Sequence, residues 1–156
     1  MRDHNFYMSQ CISLGKEAME KGNPPVGAMV VKNNQIIGIG LESGKSSKDI
    51  TRHAEIEAVK DALNNSLLTD LKDCVLYTTH EPCIMCSYVL RHYKLSTIVY
   101  GTSVKYIGGV TSEFKILNAK NIPQWSYAPK IVSGILEEQC QTLSNAYKHK
   151  ITNHEN

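Results

Sequence analysis

No run of 18 apolar residues occurs in the 156-residue chain, so it lacks a membrane-spanning helix. The start, Met1-Arg2-Asp3-His4-Asn5, has no apolar stretch of the kind a secretory signal needs, and a cytoplasmic location with no membrane partner is the expectation. Excess charge is also scarce. The 17 Lys+Arg against 15 Asp+Glu leave a formal +2, far from the strongly basic profile of a dedicated nucleic-acid binder. Charge alone leaves RNA undecided. Cysteine is present but odd in number, five in all at 11, 74, 83, 86 and 140, which argues against a disulfide framework. No repeat, low-complexity tract or Pro/Gly/Ser-rich linker divides the chain. Residues 1–156 are therefore expected to form one domain, and 42% hydrophobic content suffices for its core.

Helix and strand patterns alternate along the chain. Met8, Cys11, Ile12, Gly15, Ala18 and Met19 recur at helical spacing over 5–20, and Lys21-Gly22-Asn23-Pro24-Pro25 stops that helix. Val26 to Val31 and Gln35 to Gly40 are β-rich runs around Lys32-Asn33-Asn34, a hairpin in which asparagine can take positive φ. A polar loop follows from Glu42 to Arg52. Ala54, Ala58 and Ala62, four apart, predict a helix that Asn64-Asn65-Ser66 ends. Cys74 to Thr78 predicts a buried strand, and Pro82 suits the first turn of the helix after it. Ile98 to Tyr100 and Lys130 to Ser133 are further strands. Between them lie a glycine turn at Gly108-Gly109 and a short helix around 113–118, a length that suits a parallel crossover. Leu136 to Lys148 closes the chain as a helix. The order implies an α/β layered domain.

Two strings carry the chemistry: His53-Ala54-Glu55 and, thirty residues on, Pro82-Cys83-Ile84-Met85-Cys86. Each falls near a predicted helix start, where N–H groups and the helix dipole favour anionic sulfur. Two thiolates and one imidazole make three ligands. A structural zinc site closes its sphere with four protein ligands, whereas a catalytic one leaves a position for water. Cys74 stands as an alternative fourth ligand, though it lies one strand away. Cys11, Cys74 and Cys140 otherwise suit small buried apolar positions. Glu55, two residues after the histidine, is placed to act on a metal-held water as a proton shuttle and not as a ligand. Either string alone is weak, since Cys-x-x-C also serves redox pairs and structural clips. Joined in this order, His-x-Glu and Pro-Cys-x-x-Cys form the zinc-deaminase signature.

On these residues the chain resembles the cytidine-deaminase-like superfamily, in the branch that holds tRNA adenosine deaminases, guanine deaminases and fungal-type cytosine deaminases. Pro25-Val26-Gly27-Ala28, Thr51-Arg52-His53-Ala54-Glu55-Ile56, Leu76-Tyr77-Thr78-Thr79, Glu81-Pro82-Cys83-Ile84-Met85-Cys86 and Val99-Tyr100-Gly101 carry the likeness. The resemblance implies a three-layer α/β/α sandwich around a mixed five-stranded sheet. It also implies one zinc per chain on His53, Cys83 and Cys86, Glu55 as the catalytic proton carrier, and backbone near Ala54 holding the base. A homodimer is implied as well, with the helix after Cys86 in the contact.

Two positions depart from that branch. Purine and tRNA members place an asparagine eleven residues before the metal histidine, where this chain has Glu42. An ionised glutamate only accepts hydrogen bonds, so a Glu42 facing the pocket favours a ring with N–H groups; the alternative is a solvated Glu42 on a shifted loop. His80 could contact substrate or orient a ligand, or bond nearby backbone at the helix start. Glu81 is expected to cap or support rather than to catalyse. Arg91-His92-Tyr93-Lys94 and Lys148-His149-Lys150 are the best basic patches, but short ones. The expected activity is hydrolytic deamination of a small free aminopurine such as guanine, or another free base or nucleoside. Deamination of the wobble adenosine of tRNA and a zinc-stabilised binding module without turnover are the alternatives.

Overall fold

The computed structural model describes residues 1–155. Its elements run α1 (His4–Glu20), β1 (Gly27–Lys32), β2 (Gln35–Leu41), α2 (Gly44–Ser47), α3 (Ala54–Asn64), β3 (Val75–His80), α4 (Ile84–His92), β4 (Thr97–Thr102), β5 (Lys130–Val132) and α5 (Glu137–His154). The strands form one mixed sheet in the order β2-β1-β3-β4-β5. β1 is antiparallel to both β2 and β3, while β3, β4 and β5 run parallel. The β1–β2 turn uses Asn33 and Asn34 at φ 49° and 63°, the pair of positive angles that a tight two-residue hairpin requires.

Side-chain alternation along the strands builds two cores. Ala28, Val30, Leu76 and Ile98 meet Ala54, Ala58 and Ala62 of α3 and Leu90 of α4. Met29, Val31, Tyr77 and Val99 point the other way, against Tyr7, Met8 and Cys11 of α1 and Cys140 and Leu143 of α5. Helices thus cover both faces of the sheet, giving the α/β/α architecture. No helix among the described residues is long and apolar enough to cross a membrane.

The seating of α3 matters most for the site. Its alanines present a smooth face to β2, and the strand answers with glycine: a Cβ on Gly40 would sit 2.0 Å from the Ala54 carbonyl oxygen. Only hydrogen at that position lets the first turn of α3 approach the sheet. That approach fixes where His53, one residue ahead, must stand.

Three expectations need correction. The stretch 113–118 forms turns and no helix: its backbone closes only short turns, Ile116 N–H to Phe114 O and Asn118 N–H to Lys115 O, while the Ile116 and Leu117 carbonyls accept from Arg91 of α4. The 42–52 loop contains the one-turn helix α2. The last helix runs on to His154, beyond the expected end at Lys148.

Candidate metal and catalytic site

Two helices begin at the site, and neither is capped in the usual way. His53 is the N-cap of α3 and Cys83 the N-cap of α4, yet neither side chain makes the usual capping hydrogen bond. Serine, threonine, aspartate or asparagine would normally hold such a position and satisfy an orphan N–H. Here both caps turn toward each other, and Cys86 joins them from the first turn of α4. Two positive helix ends therefore converge on a nest of thiols.

The three ligand atoms lie within 4.8 Å of one another. His53 Nδ1 is 3.5 Å from Cys83 Sγ and 3.5 Å from Cys86 Sγ. A tetrahedral zinc with ordinary Zn–S and Zn–N bonds separates nitrogen and sulfur ligands by about 3.5 Å, so the set suits one zinc. The electrostatics agree. Contact with Cys86, then with His53, pulls the Cys83 thiol down to about 4 against the opposing effect of burial. Sharing a proton with Cys83, together with burial, pushes Cys86 far the other way. His53 rises to about 9, chiefly through its hydrogen bond to Cys83. The pair of sulfurs can carry only one negative charge until a cation sits between them, which is what a dication supplies. Cys74 is no fourth ligand: it packs in the core with Leu71 and Leu76. Three protein ligands leave one position open.

Glu55 is 4% exposed and stands beside this cluster. Its Oε2 lies 3.5 Å from Cys86 Sγ, and Oε1 lies 3.2 Å from the Thr78 hydroxyl. Burial lifts its carboxyl to about 7. A carboxyl at that value can both take and return a proton near neutrality. Thr78, on β3, was not singled out from sequence. Strand alternation puts its side chain on the α3 face, and that is the signal that could have found it.

Glu42 is buried, not solvated, at 7% exposure. Its Oε1 accepts from the Gly44 N–H at 3.2 Å, and the Ala54 N–H at the start of α3 lies close enough to favour the carboxylate. Burial raises its pKa, while the nearby His53 and these N–H groups oppose that rise. Ala54 itself is fully buried as the first residue of α3.

His80 makes its contacts away from the metal cluster. Its Nδ1 is 2.8 Å from Thr79 Oγ1, which accepts from the Gly27 N–H, and its Nε2 is 2.5 Å from Ser144 Oγ on α5. Burial depresses its pKa from 6.5 to about 4, with Lys148 adding repulsion, so the ring is neutral at physiological pH. Between those two values the unfolded chain binds a proton that the folded ring refuses. Stability linked to His80 is thus fully present above about 6.5 and is lost as pH falls toward about 4, by roughly 3 kcal/mol at most. His80→Gln should flatten this acid limb, as read by urea unfolding at pH 7 and 4.5. Equal pH dependence in both proteins would show that the ring does not resist protonation.

Two charged residues have structural roles, one unlike the surface patch expected from the sequence and one in line with the supporting role expected there. Arg91 is buried at 3% exposure, its guanidinium donating to the carbonyls of Ile116, Ala119 and Tyr127, so it is no part of a surface patch. Glu81 is 2% exposed and accepts from backbone N–H groups of the loop after β4.

With this geometry in hand, comparison with known proteins is informative. The tRNA-specific adenosine deaminase of Aquifex aeolicus (strain VF5) is 37% identical over 146 residues, spanning 92% of this chain and 93% of its own length. A solved structure from a study of A-to-I editing by tRNA:A34 deaminases superposes with a TM-score of 0.81 at 25% identity, covering 88% of this chain and 98% of that one. The guanine deaminase of Bacillus subtilis is 31% identical with a TM-score of 0.63, but the match covers 65% of this chain and 66% of that one. Residues 1–102 match the family described as the cytidine and deoxycytidylate deaminase zinc-binding region. A His/Cys/Cys cluster suited to one zinc, on this fold and with these relatives, means that the chain belongs to the cytidine and deoxycytidylate deaminase zinc-binding family and is a hydrolytic deaminase acting on a nucleobase or nucleoside.

Proposed function

We propose that the chain converts adenosine to inosine in tRNA, with His53, Cys83 and Cys86 holding one zinc and Glu55 moving the protons. The observation that carries this reading is the similarity over 92% of the chain to a tRNA-specific adenosine deaminase, against a shorter match to a guanine deaminase. It displaces the free aminopurine expected from Glu42, and there is a physical reason. That expectation required substrate N–H groups to keep a desolvated carboxylate paired. The Gly44 N–H already bonds that carboxylate, and the Ala54 N–H and His53 favour its charge from close by, so a ring without N–H donors leaves it with partners.

Zinc on these ligands would supply the Lewis acidity that makes water nucleophilic near neutral pH. Glu55 accepts the proton released as a C–O bond forms at purine C6. It passes that proton to ring N1, then takes the proton of the new C6 hydroxyl and gives it to the amine as the C–N bond breaks, so that water and adenosine give inosine and ammonia. Thr78 holds the carboxylate in place between these transfers. The exposed Lys148 and Lys150 of α5 offer cations to phosphates, with His149 exposed between them, a task Arg91 cannot share. A homodimer through the exposed face of α4 belongs to the same reading. There Tyr88 stacks on His92 with centroids 6.2 Å apart and meets Trp125 edge-on at 5.8 Å.

Ammonia release from a tRNA anticodon stem-loop with adenosine at the wobble position, compared with guanine, cytosine and adenosine, is the test. The stem-loop should lead by about 100-fold or more in kcat/KM, and Glu42→Gln should change that value by less than about tenfold. If guanine leads and Glu42→Gln abolishes its advantage, the free-base reading replaces this one.

A further inference from the structure

The 27 residues between β4 and β5 contain no regular helix, yet the part nearest the metal cluster is tightly held. Its anchor is the carboxylate of Glu81, two residues before Cys83. Oε1 accepts from the Val110 N–H at 2.8 Å and the Thr111 N–H at 2.7 Å; Oε2 accepts from the Val104 N–H at 2.9 Å and the Thr111 hydroxyl at 2.6 Å. A carboxylate has about four acceptor sites, and all are filled. The loop is shaped for this contact: a Cβ on Gly108 would lie 2.3 Å from Glu81 Oε1. Backbone bonds finish the seam, with Gly109 N–H donating to Pro82 O at 2.8 Å, Glu81 N–H donating to Thr102 O at 2.8 Å, and a bridge between Cys83 and Gly108.

Between those moorings Ser103, Lys105, Tyr106 and Ile107 are exposed, Tyr106 at 76%, just ahead of Gly108, the bridge partner of Cys83. A projection of this kind would swing freely if its base were not tied. Three of its four ties to Glu81 are backbone N–H groups, so the carboxylate sets the path of the loop regardless of which side chains the loop carries.

We propose that Glu81 is a positioning residue: it holds the 103–111 loop as a fixed wall beside the metal helix, and thereby sets how tightly an extended substrate is held. The proposal rests on the reading that the site deaminates adenosine within RNA. Glu81 touches neither the reacting base nor the zinc ligands' donor atoms, so its loss should fall on substrate retention and not on chemistry. In Glu81→Gln the new amide nitrogen opposes the Val104 N–H, leaving that donor unpaired, while the Oε1 contacts survive. Thr111→Val removes the hydroxyl contact alone and gives a milder second variant.

The experiment uses zinc-loaded full-length protein and three readouts. Zinc content should stay at the wild-type level. Hydrogen exchange should speed up by about tenfold or more at Val104 in Glu81→Gln, since an amide bonded to a buried carboxylate loses its partner. KM for the anticodon stem-loop should rise about tenfold with kcat altered less than about threefold, and Thr111→Val should show a smaller KM effect in the same direction. A uniform fall in kcat with loss of zinc would overturn the proposal by making Glu81 part of the metal site's scaffold. So would unchanged exchange and unchanged KM in a folded variant. Should the wild type act on free bases and not on the stem-loop, the tRNA reading fails by itself. The same KM-against-kcat split, measured on the preferred base, would then have to show no KM change, since a small ring does not reach the loop, and a raised KM there would count against the wall.

Discussion

Glu55→Gln should keep its zinc and its fold and yet release ammonia about 1,000-fold more slowly than the wild type, or slower still. The substitution preserves shape and leaves Oε1 as an acceptor for Thr78, so nothing in the core is disturbed. What disappears is a carboxyl beside the cluster that burial has brought to about 7, able to take a proton and give it back. Positioned acid–base groups contribute about 10²- to 10⁴-fold, and one residue serving both the attack and the departure should sit at the upper end. Ammonia release with the preferred substrate and metal analysis of the same sample check this together. Near-normal turnover with zinc retained would move proton transfer away from Glu55, and failure of wild type to turn over any base, nucleoside or RNA would favour a zinc-stabilised binding module.

The second large effect concerns the metal. Wild-type protein in native mass spectrometry should appear as a dimer carrying two zinc ions, and the Cys83→Ala, Cys86→Ala double variant should carry none. With His53 as the only remaining member of the cluster, one neutral donor replaces a set with two thiolates. Zinc at about 1,000 times its Kd adds about 4 kcal/mol to stability, and its loss should lower Tm by about 8 to 16 °C. Chelation of the wild type should reproduce the drop. Full occupancy in the double variant would place the ion elsewhere, while a monomer at micromolar concentration would remove the α4 face as a subunit contact.

Local patterns made much of the molecule legible. The alternation of β-rich and helical segments announced the layered architecture, and the Asn33-Asn34 turn follows from chemistry confined to two residues. The departures cluster where partners are distant. Arg91 looked like surface charge because its chain neighbours His92 and Lys94 are polar and exposed, yet it is bound to carbonyls 25 to 36 residues further on. Residues 113–118 looked helical by composition, but the carbonyls at 116, 117 and 119 are taken by that guanidinium. Glu42 left two readings open, because burial depends on how α2 and α3 fold over it and not on its own neighbours in the chain.

By itself, the sequence named the groups proposed to do the chemistry. Imidazole, thiolate and carboxylate are properties of residue type, and His53-x-Glu55 with Cys83-x-x-Cys86 names them without any coordinates. It also determined that the two strings open helices, since that depends on short-range signals such as Pro82 and the four-residue alanine spacing. Only the tertiary structure decided that the strings meet. Their separation of thirty residues is closed by the seating of α3 on Gly40 and by the pairing of β1 with β3, contacts between elements that no local window contains. The tertiary structure likewise decided what surrounds the candidate groups: the burial that raises Glu55, the Gly44 N–H that bonds Glu42, and the four hydrogen bonds that bind a loop to Glu81. Desolvation and long-range hydrogen bonding act through space, and space is assigned only when the chain is folded.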